Sequence, residues 1–218
     1  MRNLFTHRIL TAIKRRLGLL SFHLLNPHVK LQGKGLVSRI KCKNYGKGNT
    51  VIIDAGASLK ECAFFFKGNN NLLHIYSGCH FKGISFHFEN DGSYIEIGEG
   101  TTMEPGCLLA AVEGKRIILG KDCMLSNDIQ IRTTDSHSIF DSDGQRTNPE
   151  ADIMIGHHVW IGFQSLILKG TNIPDNCIVG ARSMVTSSLN IESQDLVAGS
   201  PAKVIKKNMS WKRERVKG

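Results

Sequence analysis

The chain has 218 residues, 41% hydrophobic and 22% charged, so it can bury a core and is neither a disordered chain nor a multi-span membrane protein. Five prolines against 22 glycines exclude a proline-rich linker or a collagen-like design. The net charge of +9 predicts polyanionic company: nucleic acid, acidic lipid, an acidic polysaccharide or a phosphate-bearing cofactor.

The first predicted element is an amphipathic basic helix within residues 1–30. Leu4, Phe5, Ile9, Leu10, Ile13 and Leu17 recur at helical spacing among Arg2, Arg8, Lys14, Arg15 and Arg16. The uncharged run from Leu17 to Asn26 is too short to span a bilayer, and no signal-peptide cleavage site follows it. Such a helix either packs on the body of its own oligomer or rests on anionic membrane. The six cysteines, at 42, 62, 79, 107, 123 and 177, include no pair at metal or redox spacing. They read as reduced, small apolar residues of a reducing compartment. The expected location is therefore cytoplasmic, peripheral to the inner membrane if the helix is a lipid contact.

A repeat domain is expected over 31–207. The stretch 37–95 reads as loosely wound coils with aromatics in core positions, as in Phe64-Phe65-Phe66 and Phe86-His87-Phe88. A period of six then becomes plain. Ile97, Met103 and Leu109 form one series; Leu119, Leu125 and Ile131 form another. Ile155, Ile161, Ile167, Ile173, Val179, Val185 and Ile191 form a third without a slip. Four residues after the aliphatics come small residues such as Ser165, Thr171, Cys177 and Ser183, and glycine follows the aliphatic at 98, 120, 156, 162 and 180. Six residues match neither a 3.6-residue helix nor a hairpin ladder. They suit a short strand and a bend repeated around a prism, the aliphatic pointing to the axis and glycine permitting the bend.

Between Ile131 and Ile155 the period breaks into a polar loop, near 132–152, where a regular solenoid would carry its function. The loop holds His137, and a neutral imidazole is suited to taking a proton from a hydroxyl. Asp135, two residues earlier, either orients that ring or caps a turn. Arg132, Arg146 and Asn148 are either contacts to an anionic sugar or solvated loop residues. His157-His158 lacks a third ligand at sensible spacing, so no metal is expected. A basic tail with Trp211 closes the chain over 208–218. Basic residues cluster at the two ends while most aromatics lie in the repeat, which argues against nucleic-acid binding.

Three segments, ILGKDCMLSNDIQIRTTDSHSIFD, IMIGHHVWIGFQSLILKGTNIPDNCIVGARSMVTSSL and AGSPAKVIKK, resemble the hexapeptide-repeat acyltransferase superfamily. The resemblance runs from about 50 to 207. It is to the maltose and galactoside O-acetyltransferase branch, and more closely to bacterial O-acetyltransferases of capsule, sialic acid polymers and lipopolysaccharide. It implies an all-β, left-handed parallel β-helix assembled as a homotrimer. It implies acetyl-CoA as co-substrate and a saccharide hydroxyl as acceptor, with His137 as general base. By the family's pattern Trp160 lines the acetyl-CoA site. Gly162, Ala181, Thr186 and Ser187 contact CoA through backbone, and Lys203 and Lys206 meet its phosphates. Three positions depart from the pattern: Phe163 replaces a small polar residue, Ser187 a lysine, and Gly106 an acceptor-site asparagine. The alternatives are an N-acetyltransferase on an amino-sugar nucleotide and, in other classes, a γ-type carbonic anhydrase or a non-catalytic trimeric scaffold.

Overall fold

The computed structural model describes residues 28–214, together with Ile13, Leu17, Gly18, Leu20, Phe22 and Asn26. Most of the predicted N-terminal helix, and the last four residues of the tail, lie outside the described residues. Ile13, Leu17, Gly18, Leu20 and Phe22 themselves have helical backbone.

From Val29 onward the chain winds through three parallel sheets in turn, as the six-residue period requires. Seven successive coils each give one strand to each sheet, and an eighth is partial. Coil 5 is Arg116–Leu119, Met124–Leu125 and Gln130–Arg132. Coil 6 is Ile153–Ile155, Trp160–Ile161 and Leu166–Leu168, and coil 7 is Asn172–Ile173, Ile178–Val179 and Met184–Val185. The partial coil is Leu196–Gly199, against which Ala202–Lys206 folds back antiparallel. The predicted series are the axis: Ile97, Leu109, Ile131, Ile161, Ile167, Ile173 and Val185 are completely buried. Ser165, Thr171, Cys177 and Ser183 fill the corners beside them. No helix among the described residues is long and apolar enough to cross a membrane.

The looser N-terminal half has its own regularity, which the six-residue rule does not contain. Thr50 lies beside Leu72, Leu72 beside Tyr94 and Tyr94 beside Arg116, a coil of 22 residues. From coil 6 onward the coil is 18, with Met154 beside Asn172 and Trp160 beside Ile178. Wider coils need larger core residues, and paired rings supply them: Phe64 tilted against Phe86 at 5.9 Å and Phe66 stacked on Phe88 at 4.9 Å. At one corner buried amides form a ladder. Asn49 Oδ1 accepts from the Asn71 backbone N–H at 2.9 Å, and Asn71 Oδ1 accepts from Ser93 N–H at 2.8 Å.

The glycines that follow the aliphatics do not serve the bend, contrary to expectation. A Cβ on Gly120 would lie 2.4 Å from the Gly156 carbonyl oxygen, and one on Gly162 would lie 2.6 Å from Ala181 N. They are glycine because neighbouring coils touch there. The left-handed turn residue is two positions later and is often not glycine: Gly100, Asp122, His158, Asn176 and Gln194 share that corner, all with positive φ.

Candidate active site

The loop leaves the corner between the third and first sheets, after Arg132, and rejoins coil 6 at Ile153. Its root is fixed by Thr133, completely buried, whose Oγ1 accepts from Val112 N–H at 2.9 Å. Arg146 forks onto Glu113, at 2.9 and 3.3 Å, and reaches Glu150 at 3.0 Å. At the tip, Phe140 and Arg146 form an antiparallel bridge around Asp141, which accepts from the backbone of Asp143 and Gln145.

His137 stands exposed on this loop, directly after Ser136, whose φ is 67°. The loop closes around Asn148, which is 8% exposed. The Asn148 amide donates to the His137 carbonyl oxygen at 2.9 Å and to Asp135 Oδ2 at 2.8 Å. Its own oxygen accepts from Ile139 N–H at 2.6 Å. Lys169, at the end of a coil 6 strand, donates to Asp135 Oδ2 at 2.5 Å and to the Asn148 carbonyl at 2.9 Å. The hydrogen bond from Lys169, aided by Asn148, holds the Asp135 carboxyl below the usual carboxylate range. Asp135, Arg146 and Asn148 thus have partners within the loop or beneath it. Arg132, half-buried, donates to Gln130 Oε1 at 3.0 Å.

Trp160 lies in the middle of the second sheet, between Met124 and Ile178, and is 36% exposed. Gly162 and Ala181 stack at the next corner, beside the exposed Phe163. Continuing the ladder, Ile178 pairs with Leu196, Leu196 with Lys206, and Ala198 with Lys203. Trp160, Gly162, Ala181, Lys203 and Lys206 therefore share one side of the solenoid. Thr186 and Ser187 do not join them. They follow the last strand of the third sheet, and Ser187 sits under the loop, where a Cβ on Gly170 would meet its Cβ at 3.0 Å.

The corner between the third and first sheets is the one vertex that the second sheet does not border. One chain therefore carries His137 and Trp160 on opposite sides of its axis. A thiol nucleophile is not on offer. All six cysteines are free and five are buried, and burial pushes the thiols of Cys42, Cys79, Cys107 and Cys123 up to about 11.

The tail holds residues that sequence reasoning missed. Trp211 is buried, stacked on His158 at 4.1 Å, and lies 6.2 Å from Trp160 between ring centres. His158 Nδ1 is 2.7 Å from Asp122 Oδ2, and Arg213 Nε donates to Asp122 Oδ1 at 2.7 Å. His157 Nδ1 accepts from Lys121 N–H at 2.9 Å. Both rings of the histidine pair are thus engaged with protein groups. Among the described residues no three His, Cys, Asp or Glu side chains converge as a metal site. Only Trp211's rarity could have marked the tail, since it falls outside the six-residue series.

No family model matches the chain. A polysialic acid O-acetyltransferase of Neisseria meningitidis is 35% identical over 191 residues, 87% of each protein. The crystal structure of the polySia-specific acetyltransferase NeuO superposes with a TM-score of 0.73 at 30% identity, over 85% of this chain and 82% of that one. The polysialic acid O-acetyltransferase OatWY superposes with a TM-score of 0.65 at 29% identity, over 86% and 92%.

Proposed function

Since this chain belongs to the polysialic acid O-acetyltransferase family of hexapeptide-repeat acetyltransferases, it is an O-acetyltransferase of bacterial surface polysaccharide, and we propose how its residues divide that work. The acceptor is a hydroxyl of an anionic glycan, His137 is the general base, and the acyl donor is acetyl-CoA held beside Trp160. The active unit is a homotrimer whose sites each take His137 from one copy and Trp160 from another.

The observation that carries this reading is the separation of the two halves. A general base on a clamped loop and a half-exposed indole on the opposite face form a site when a second copy supplies the missing half. The side chains around Trp160 suit a donor with an apolar arm and phosphates. An indole face and the small Gly162–Ala181 corner are followed by Lys203 and Lys206, which form no ion pair among the described residues.

Acetyl-CoA supplies the thioester carbonyl that the hydroxyl attacks. His137 takes the hydroxyl proton as the oxygen adds, then returns it to the departing sulfur, so no proton is gained or lost. A positioned imidazole of this kind contributes about 10²–10⁴-fold. The Trp160 indole N–H donates toward the carbonyl oxygen as charge develops on it. Asp135 acts on His137 through the loop, where Lys169 and Asn148 hold it, and Arg132 is the loop cation nearest to the coil for an acidic sugar.

The N-terminal helix is the lipid contact of an enzyme at the cytoplasmic face of the inner membrane. Ile13, Leu17 and Leu20 support this, as they recur at helical spacing and are exposed, Leu17 at 63%.

The test is to incubate the protein with acetyl-CoA and oligosialic acid and to find an acetyl ester that mild base removes. His137→Ala abolishes the ester yet leaves acetyl-CoA binding, and Trp160→Ala weakens that binding. A base-stable amide product, or transfer undiminished in His137→Ala, overturns the assignment.

A further inference from the structure

Residues 208–214 run back along the corner between the first and second sheets, against the direction of winding. Met209 N–H donates to the Gln194 carbonyl of the partial coil at 2.8 Å. Trp211 Nε1 donates to the His158 carbonyl of coil 6 at 2.9 Å. Arg213 reaches coils 5 and 4, donating to Asp122 Oδ1, to the Cys123 carbonyl at 2.8 Å, to Thr102 Oγ1 at 2.9 Å and to the Gly100 carbonyl at 3.3 Å. This part of the basic tail is a strap that ties the partial coil to coil 4.

The strap ends its work next to the indole that the proposed donor site needs. Trp160 lies on a strand of two residues, directly after the left-handed His158 and Val159. A strand side chain in such a place has two common rotamers. One flank of Trp160 is closed by Trp211, tilted 45° to it. Trp211 is itself held flat on His158, 9° from parallel, and His158 is held by Asp122, which Arg213 holds in turn. Burial alone would raise the Asp122 carboxyl, but the His158 and Arg213 hydrogen bonds outweigh it and hold the group below its usual range. A chain of contacts thus runs from Arg213 through Asp122, His158 and Trp211 to Trp160.

We propose that the C-terminal strap belongs to the acyl-donor site, with Trp211 and Arg213 as positioning residues that fix the Trp160 indole for the acyl-CoA arm. The inference rests on the reading of Trp160 as a donor-site residue. Neither residue touches the donor. Their effect is to remove the cost of ordering the indole when the donor arrives, so it is read in donor affinity and not in acceptor affinity.

Trp160 and Trp211 are the chain's only tryptophans, which makes the test optical as well as kinetic. In Trp211→Phe every tryptophan photon comes from Trp160; in Trp160→Phe every one comes from Trp211. Titration of acetyl-CoA should quench the first protein and leave the second nearly unchanged. Arg213→Ala should raise the KM for acetyl-CoA about tenfold and leave the KM for oligosialic acid unchanged. Arg213→Lys, which keeps the charge and loses the fork, should recover part of that loss. In a Trp160→Phe background, Arg213→Ala should shift Trp211 emission to the red as the strap lifts. Should Arg213→Ala not fold, Thr102→Val removes one anchor and is expected to move the same KM in the same direction. A lifted strap with an unchanged KM for acetyl-CoA overturns the proposal while leaving Trp160 in the donor site. A wild-type protein that does not bind acetyl-CoA overturns both.

Discussion

Lys169 Nζ lies 2.5 Å from Asp135 Oδ2 and 2.9 Å from the Asn148 carbonyl, so one ammonium joins coil 6 to both ends of the segment that carries His137. The pair is partly exposed, and such pairs contribute little to global stability. Its consequence is local: Asn148, held from below, holds the His137 carbonyl. With His137 as the general base proposed above, Lys169→Met is therefore expected to lower kcat by about tenfold or more as that residue loses its place, with Tm nearly unchanged. Lys169→Arg should restore much of the rate. Steady-state kinetics beside thermal melts check both statements.

The same pair fixes a pH dependence. The Asp135 carboxyl is held below its usual range, so its contribution to the loop is present in full above the unfolded carboxylate value of about 3.9. It is lost only as the pH falls through the lower folded value. Activity lost between neutrality and pH 5 is thus expected to be independent of Asp135. In Lys169→Met the carboxyl should titrate closer to the ordinary value, which carbon-detected NMR of the side chain measures directly.

Stacked corners predict a second kind of effect. Gly120 needs no unusual φ, yet a Cβ there would meet the Gly156 backbone, which cannot step aside. Gly120→Ala should cost about 1–3 kcal/mol, as overpacking does. Gly144 is the opposite case, with φ at 75° and open space around it. Gly144→Asn should be nearly neutral, because asparagine tolerates the left-handed region. Thermal melts of the two variants separate the packing role from the backbone role.

That contrast marks where sequence reasoning succeeded and where it stopped. The aliphatics from Ile155 to Ile191 keep one step without a slip, so their common axis could be read directly. The wide coils could not be read from a step of six. Their repeat lies in Asn49, Asn71 and Ser93 and in Gly56, Gly78 and Gly100, 22 residues apart and of mixed chemistry. The loop could be located because it breaks the period, and its histidine stood out. The groups that clamp its loop could not, since Lys169, which holds Asp135 and Asn148, and Glu113, which holds Arg146, belong to other coils and look like surface charges in the sequence. Arg213 contacts residues about 90 to 113 positions away, a separation at which sequence spacing carries no signal.

The N-terminal segment gives the last prediction. Gly18 and Phe22 face the solenoid: Phe22 packs on Phe64 at 6.2 Å, and a Cβ on Gly18 would lie 2.2 Å from the Val37 carbonyl oxygen. Ile13, Leu17 and Leu20 are exposed, at spacings of four and three that put them on one stripe. Lys14, Arg15 and Arg16 lie between the first two in sequence. An exposed apolar stripe interleaved with cations suits an anionic bilayer, to which each basic residue near the surface adds about 1 kcal/mol. The full chain is therefore expected to sediment with phosphatidylglycerol vesicles and much less with phosphatidylcholine ones. Binding should fall as salt screens the cations, and it should fall further in Leu17→Ser/Leu20→Ser with acetyl transfer to a soluble oligosaccharide intact. Equal sedimentation with both lipids would assign the attraction to the apolar stripe alone. Sedimentation with neither, joined to a smaller particle for the double variant, would make the stripe a contact between copies of the chain.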